Sequence, residues 1–315
     1  MRIAILADTL DEFKIFKDST FAIMKEAAQR GHEIFMFELN DMLCEGGKVV
    51  ANVRKVHMLD EALYPKWYEF EKSKIEALRD FDVVLVRKDP PFDMEYVFAT
   101  YLLENAVREG ARIYNNPCAI RDHNEKCAIL EFPYLTEKTL VTRNLKSLHH
   151  FILEHREVIL KPLDGMGGSS VFLVRYNDPN KNVIVETLTN YGNRTIMAQR
   201  YISEIKEGDK RILLIAGKPV PYSLARIPVE GETRGNLAAG GTAQAQYLAP
   251  QDLRIVSALA DTLWGRGLFL VGLDVIGAYL TEINVTSPTC FQEIFNQTGF
   301  NVAAEFLNAL EREIL

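Results

Sequence analysis

The stretch Lys161-Pro-Leu-Asp-Gly-Met-Gly-Gly-Ser-Ser170 decides the fold of this chain. Strand-like runs flank it, with Glu157–Pro162 entering and Ser170–Tyr176 leaving. Three glycines and two serines between strands give a turn whose bare backbone N–H groups can bind an anion, and Lys161 adds a positive charge. A Walker loop instead places its lysine after the glycines and opens a helix. Taken alone, the stretch fits a phosphate-binding loop and a plain glycine-rich hairpin equally well.

The bulk composition is that of an ordinary globular protein. The chain has 315 residues, of which 48% are hydrophobic and 25% charged, enough for two or three domains. A net charge of -7 without a polybasic run disfavours nucleic acid as a partner. No signal-peptide pattern and no apolar run of about 18 residues is present, which disfavours a membrane location. The four cysteines lack CxxC or zinc spacing, so we expect a reduced, cytoplasmic protein.

The first third of the chain alternates strands with helices, which predicts a Rossmann-like parallel sheet covered on both faces. Its first turn, Ala7–Glu12, lacks GxGxxG, so a dinucleotide site is disfavoured. Ligands of such sheets lie at the carboxyl ends of strands, which makes Arg87 a candidate binding residue, although Arg87–Asp93 alone is better explained as a rigid proline turn. The expected elements are strands at Arg2–Ala7, Glu33–Phe37, Asp82–Val86 and Arg112–Tyr114, and helices at Ser19–Arg30 and Tyr96–Glu109.

A domain boundary is expected near Asn115–Pro117, and the central region beyond it is rich in predicted strands. Asp122 is expected to cap a helix with Glu125 as its capping-box partner. The glycine-rich run Ile227–Gly241 is too long for a hairpin turn, and such a loop is typical of either a disordered segment or a functional lid. The other expected elements are a helix at Leu145–Glu154, strands at Val183–Glu186, Ile196–Tyr201, Asp209–Ile215 and Lys218–Arg226, and helices at Asp252–Arg266 and from Val302 onward.

The segment Leu270–Val285 predicts a hairpin that carries acidic side chains. Glu282 and Asn284 lie two residues apart, hence on one face of the second strand, and Asp274 lies roughly opposite them. Burying two carboxylates among Val, Leu and Ile would cost several kcal/mol unless a cation paired with them. Oxygen ligands without histidine or cysteine suit magnesium rather than zinc. A polar outer face of an ordinary hairpin is the alternative, but it does not explain carboxylates held so close together.

Basic residues complete a predicted nucleotide site. Lys126 and Lys161 can straddle a triphosphate, and Arg211, Arg226 and Arg234 add further positive charge. An arginine on a strand can be held rigidly for bidentate binding of a carboxylate or phosphate. Each arginine alone is more typical of a protein surface. Together with the glycine loop and the acidic hairpin, they favour a nucleotide site.

These segments resemble the bacterial-type glutathione synthetase family of ATP-grasp ligases, from about Lys17 to Thr289. The resemblance implies an α/β chain with an ATP-grasp fold, an α+β lid and an N-terminal Rossmann-like domain. It implies domains at residues 1–121, 122–202 and 203–315. The segments that carry it are Lys161–Gly168, Asp209–Arg211, Tyr222–Pro228, Gly231–Gly241, Thr281–Thr289, Arg87–Asp93 and Leu140–Arg143.

The resemblance also implies a role for each motif residue, and a homotetramer by analogy. Asp274, Glu282 and Asn284 would hold Mg²⁺, with Mn²⁺ as a possible substitute. Arg211, Arg226 and Arg234 would be catalytic and, with Arg87, would surround the peptide substrate. The residues implied for ATP binding are Lys126, Lys161, Gly165, Gly167, Gly168, Ser169, Gln199, Arg200, Tyr201, Ile202 and Asp209.

The implied reaction joins γ-glutamylcysteine to glycine at the expense of ATP. Phosphoryl transfer to the cysteinyl carboxylate would give an acylphosphate, which glycine would attack; positioning and charge stabilisation would carry the catalysis. The acylphosphate needs shielding from water, which gives Ile227–Gly241 a role as a lid. The alternatives are an ATP-grasp ligase for another carboxylate or amine, a nucleotide-binding regulator without turnover, and an NAD enzyme. The full set of metal-ligand and glycine positions argues against the regulator.

Overall fold

The computed structural model describes residues 1–232, 234–235 and 240–314. Its first sheet has the strand order β3-β4-β2-β1-β7-β8, with β5 and β6 pairing with β4. Strands β2, β1, β7 and β8 run parallel, which confirms the predicted Rossmann-like core. The elements are β1 Arg2–Leu6, α1 Ser19–Gln29, β2 Glu33–Phe37, β3 Met42–Glu45, β4 Lys48–Met58, β5 Tyr68–Phe70, β6 Lys74–Ala77, β7 Val83–Val86, α2 Met94–Arg108 and β8 Ile113–Tyr114.

Alternation along β1 explains why helices cover both faces of this sheet. Ile3 and Ile5 pack in the cluster that contains Phe21 of α1, whereas Ala4 and Leu6 pack with Leu103 of α2. Successive side chains of a strand point to opposite faces, and both faces here are apolar. The sheet has more strands than the sequence predicts, because β3 to β6 extend it as antiparallel strands on the side of β2.

The second sheet is antiparallel, in the order β11-β10-β12-β9, and the glycine loop joins β10 to β11 as predicted. The predicted strand Val183–Glu186 is wrong, because these residues lie in α5. Val185 and Leu188 are buried three residues apart while Val183 is exposed, which is a helical pattern. The elements are α3 Pro117–Asp122, β9 Thr139–Thr142, α4 Leu145–His155, β10 Glu157–Pro162, β11 Phe172–Arg175, α5 Lys181–Leu188 and β12 Ile196–Arg200.

The predicted capping box at Asp122 is also wrong. Asp122 ends α3, whose N-terminus is capped instead by Asn116, the acceptor for the backbone N–H groups of Cys118 and Ala119. A proline at the first helical position favours a start at residue 117. Glu125 then lies outside any α-helix, and its carboxylate makes contacts described below.

The third sheet is antiparallel, in the order β15-β14-β13-β16-β17, and contains the predicted acidic hairpin. Alternation on β13 again divides the core, since Ile212 packs beneath α6 and Leu213 beneath α8. Strand β15 and helix α7 were not predicted. Part of the predicted lid, Ile227–Gly241, lies outside the described residues. The elements are β13 Asp209–Ile215, β14 Lys218–Ile227, β15 Thr242–Tyr247, α6 Pro250–Gly265, β16 Leu270–Ile276, β17 Tyr279–Asn284, α7 Phe291–Thr298 and α8 Val302–Ile314.

No helix within residues 1–232, 234–235 and 240–314 is both long enough and apolar enough to cross a bilayer.

Candidate active site

A cleft that encloses about 110 Å³ lies between the second and third sheets, beneath the glycine loop. Every residue that the sequence predicts for ATP binding lines this cleft: Lys126, Lys161, Gly165, Gly167, Gly168, Ser169, Gln199, Arg200, Tyr201, Ile202 and Asp209.

The glycine loop is held in place by its own backbone and by side chains from outside it. Gly167 and Gly168 have φ angles of 64° and 76°, a left-handed conformation that glycine adopts without steric cost. Lys126 Nζ donates a hydrogen bond to the carbonyl oxygen of Gly165 at 2.7 Å. Arg234 Nη1 donates to the carbonyl oxygen of Gly168 at 3.3 Å. The loop is therefore fastened from two separate parts of the chain.

The two lysines converge on one carboxylate at the floor of the cleft. Lys126 Nζ and Lys161 Nζ lie 3.7 and 3.5 Å from Glu282 Oε1. Both lysines are only 5% exposed, so their charges are screened little by water. Burial lowers the pKa of Lys161, Glu282 opposes that shift, and Lys126 adds to it. This concentration of positive charge is what a polyphosphate requires.

The acidic hairpin places its oxygen atoms beside these lysines. Asp274 and Glu282 are cross-strand partners, and Asn284 pairs with Gly272. The Asn284 amide nitrogen donates to the Gly272 carbonyl at 3.1 Å, which leaves the amide oxygen as the donor atom for a cation. In the described ranges, no three His, Cys, Asp or Glu side chains form a metal cluster. The predicted set therefore depends on the amide as its third ligand.

Arg211 and Arg226 bind both carboxylate oxygens of Asp274, so a divalent cation would share that carboxylate with them. Burial opposes ionisation of Asp274, but Arg211 and Arg226 together hold its pKa below the ordinary value. Burial raises the pKa of Asp209; Arg226 opposes this rise, and Asp274 and Glu282 increase it. Asp209 Oδ1 is buried without a hydrogen-bond partner among the described residues. An orphaned carboxylate oxygen among like charges is stabilised by a bound cation or a ligand donor.

A second cleft, which encloses about 390 Å³, adjoins the first. Arg211, Arg226 and Asn284 line it, and it shares Met166 and Gly167 with the first cleft. Ligands in the two clefts can therefore meet beneath the tip of the glycine loop.

Two of the arginines predicted for substrate binding lie elsewhere in the structure. Arg234 lines the first cleft and, in the described part of the chain, not the second. Arg87 lines neither of these two clefts as described; its buried guanidinium donates to Thr20 Oγ1 at 3.1 Å and to the Pro288 carbonyl at 2.9 Å. Arg87 thus supports the wall of the second cleft from behind.

Sequence reasoning missed the role of Glu125. Its Oε1 accepts hydrogen bonds from Val285 N at 3.0 Å, Thr286 N at 3.2 Å and Thr286 Oγ1 at 2.8 Å. Its backbone carbonyl accepts from Ile283 N at 2.8 Å. Burial raises the pKa of Glu125, and the bonds from Thr286 oppose that shift. In the sequence, the position of Glu125 next to Lys126 is the feature that could have indicated its role. In the structure, Glu125 secures the end of β17.

Comparison with known proteins identifies the family. The model of the prokaryotic glutathione synthetase N-terminal domain matches residues 1–121, and that of the prokaryotic glutathione synthetase ATP-grasp domain matches residues 125–299. The chain belongs to the prokaryotic glutathione synthetase family. It is 55% identical over 312 residues to the glutathione synthetase of Ralstonia nicotianae, covering 99% of this chain and 96% of that protein. It is 54% identical to that of Nitrosomonas europaea, covering 100% and 98%.

Solved structures support the fold at lower identity. The crystal structure of D-cycloserine synthetase DcsG aligns with a TM-score of 0.68 at 15% identity, covering 99% of this chain and 100% of that one. The ATP-grasp ligase PsnB complexed with minimal precursor, Mg and ADP aligns with a TM-score of 0.62 at 14% identity, covering 99% and 98%. The predicted ATP-grasp fold is confirmed, as is the prediction of an ATP-dependent ligase of the glutathione synthetase family, with ATP as co-substrate.

Proposed function

We propose that this chain ligates γ-glutamylcysteine to glycine, with conversion of ATP to ADP and phosphate. The observation that carries the proposal is the meeting of the two clefts at Met166 and Gly167. Lysines line the first cleft, where a polyphosphate would bind, and the second holds Arg211 and Arg226, which suit a peptide with two carboxylates. The relatives that share half of this sequence carry the name of this activity.

The residues divide the chemistry between the clefts. Lys126 and Lys161 orient the phosphates of ATP, and Arg211 and Arg226 hold the substrate carboxylate for in-line attack on the γ-phosphorus. ADP leaves, and the amine of glycine then attacks the acyl carbon, releasing phosphate. Asp274, Glu282 and Asn284 would hold Mg²⁺ or Mn²⁺, which neutralises charge on the transferring phosphoryl group when bound. Arg234 contacts the glycine loop, so its catalytic part is to keep that loop over the phosphates.

The division into domains at residues 1–121, 122–202 and 203–315 belongs to the same proposal. It is supported by the placement of one sheet in each range: β1 to β8, β9 to β12 and β13 to β17. ATP would then lie between the sheets of the second and third domains.

An ADP-release assay tests the proposed reaction. Release is expected with γ-glutamylcysteine plus glycine, and not when D-alanine or glutamate replaces glycine. Lys161→Met should abolish release, whereas Lys146→Met, a change at an exposed lysine of α4, should leave it unaltered. ADP release that is indifferent to γ-glutamylcysteine would favour an ATP-grasp ligase for another carboxylate.

We also propose a cytoplasmic homotetramer. ATP and a free substrate thiol both require a reducing, nucleotide-rich compartment. Met94, Phe98 and Tyr101 are 59%, 51% and 50% exposed on one face of α2, and such a stripe suits a subunit contact. Light scattering should give a mass near four times 35.8 kDa, and Phe98→Glu should lower it. Cell fractionation tests the location.

A further inference from the structure

The consecutive side chains of Asn124, Glu125 and Lys126 bind different parts of the site. Glu125 holds the end of β17, and Lys126 reaches the glycine loop and Glu282. Asn124 has no part in the reaction described above. In the described ranges it lines neither of the two clefts. Any effect of Asn124 on the reaction must therefore pass through the residues that it holds.

Asn124 caps the turn that carries Lys126. Its Oδ1 accepts the backbone N–H groups of Lys126 at 3.2 Å and Cys127 at 3.0 Å. Its backbone carbonyl accepts from Ala128 N at 2.8 Å. An asparagine oxygen that binds the N–H groups following it fixes the local backbone in a turn. Asn124 thereby fixes the backbone from which the Lys126 side chain extends.

The amide nitrogen of Asn124 binds a different element. Its Nδ2 donates to the carbonyl oxygen of Leu163 at 3.0 Å, directly after β10. Lys161 lies near the end of that strand. One planar amide therefore ties the backbone at Lys126 to the backbone at Lys161. The Nζ atoms of these lysines lie 3.7 and 3.5 Å from Glu282 Oε1, so a shift of either backbone changes the spacing of two buried charges.

The bond between Asn124 and Leu163 is placed where a nucleotide does not displace it. A second bond joins the same two segments, from Lys126 Nζ to the carbonyl oxygen of Gly165 at 2.7 Å. A phosphate in the first cleft competes for that ammonium group. Asn124 and Leu163, in the part of the chain described, do not line this cleft. Their bond can therefore hold the two segments together while Lys126 turns to the phosphate.

We propose that Asn124 is a positioning residue for ATP, which sets the spacing of Lys126 and Lys161 along the phosphate chain. The amide is uncharged, so it acts by favouring the arrangement in which both lysines reach the phosphates. The apparent Kd of a ligand rises as the binding-competent population falls. Loss of one hydrogen bond of ordinary strength lowers that population by about five- to tenfold. This inference rests on the proposed function, which assigns the two lysines to ATP.

The test measures the Kd of Mg-ATP by calorimetry and the kinetics of ligation. Asn124→Asp keeps an acceptor for the turn and removes the donor to Leu163, because aspartate caps as well as asparagine does. Its Kd and KM for ATP should rise at least about fivefold, whereas kcat at saturating ATP and the KM for glycine should stay near those of wild type. Asn124→Ser also keeps an acceptor, adds no charge and should raise both values, so it decides the matter if Asn124→Asp does not fold.

Asn144→Asp is the matched control. Asn144 caps α4, where its Oδ1 accepts Ser147 N at 3.0 Å, and the residue is exposed. The same exchange there should leave the Kd of Mg-ATP at the wild-type value. Thermal unfolding of each variant separates a loss of stability from a loss of affinity.

Two results would overturn the inference. One is a Kd for Mg-ATP in Asn124→Asp equal to that of Asn144→Asp, which would reduce Asn124 to a cap. The other is a lower Tm of the Asn124 variants with an unchanged KM for ATP, which would make its role purely structural. A wild-type enzyme that binds Mg-ATP but does not ligate γ-glutamylcysteine to glycine would instead contradict the proposed function, and the calorimetric comparison would still decide the role of Asn124.

Discussion

Asn115 joins the first sheet to the acidic hairpin, and its replacement by alanine should damage both stability and nucleotide binding. The residue is 4% exposed. Its Nδ2 donates to the carbonyls of Leu270 at 2.8 Å and Val285 at 2.7 Å, and its Oδ1 accepts from Leu270 N at 2.8 Å. Leu270 begins β16 and Val285 follows β17, so one amide holds both strands of the hairpin.

The size of the effect follows from these three contacts. A buried hydrogen bond contributes about 1 kcal/mol net, and a buried group left unpaired costs about 1–3 kcal/mol. Asn115→Ala should therefore lose about 3–5 kcal/mol of unfolding free energy, a large part of the roughly 5–15 kcal/mol of a typical domain. A fall in Tm of at least about 5 °C is expected. The isosteric Asn115→Asp should lose more at neutral pH, because a carboxylate would face two carbonyl oxygens.

Thermal unfolding followed by near-UV circular dichroism measures the loss of stability. Initial rates at varied ATP concentration give the KM for ATP, which reports on the displacement of the hairpin. The KM for ATP should rise, since Asp274 and Glu282 lie on the strands that Asn115 holds. Asn105→Ala is the control, because Asn105 accepts one exposed bond from Arg108 and should cost less than about 0.5 kcal/mol. A Tm within 1 °C of wild type for Asn115→Ala would refute the reasoning.

Three further changes probe the clefts and Glu293. Glu282→Gln should raise the Mg²⁺ concentration for half-maximal ligation by more than the roughly 10–100-fold typical of outer-shell changes; an unaltered Mg²⁺ dependence would contradict the proposed ligand set. Gly272→Ala places a Cβ 2.8 Å from Arg211 Cδ and 3.2 Å from Pro288 Cβ, so the KM for γ-glutamylcysteine should rise while that for ATP stays constant. Burial raises the pKa of Glu293 from 4.5, so its contribution to stability is present below pH 4.5 and is lost as pH rises; the Tm of Glu293→Gln relative to wild type should increase from pH 4 to 7.

Each change has a matched control in the chain. Glu207→Gln alters an exposed carboxylate and should leave the Mg²⁺ dependence as it is. Gly265→Ala places its Cβ in open space, so it should leave every KM unaltered. Glu305→Gln changes a partly exposed residue of α8 and serves as the control for Glu293→Gln over the same pH range.

The sequence predicts the structure best where strands with a strong hydrophobic pattern lie on either side of a short turn. The glycine hairpin after β10 and the acidic hairpin were both predicted, because strands with strong patterns flank short glycine turns. The residues that line the first cleft were named through the resemblance to the glutathione synthetase family, which covers each of those segments. Val183–Glu186 failed, because a short run of β-branched residues fits a strand and a half-buried helix alike.

Contacts between segments that are far apart in the sequence could not be predicted. Nothing local in Arg87–Asp93 reveals that the Arg87 guanidinium turns towards Pro288, 201 residues away, instead of lining either of the two clefts described above. Glu125 was interpreted as a capping residue, because its partners at Val285 and Thr286 are about 160 positions distant. Glu293 lies in α7, a helix that was not predicted, so its position in the lining of the second cleft could not be anticipated.

The fastening of the glycine loop bears on how the enzyme lets its nucleotide go. Lys126 already donates a hydrogen bond to the carbonyl oxygen of Gly165, so an incoming phosphate must compete with the protein backbone for that ammonium group. Breaking the bond between Lys126 and Gly165 offsets part of the attraction between the lysine and the phosphate, and the bond can form again when the nucleotide dissociates. This alternative partner favours release of ADP, which the enzyme must complete at every turnover.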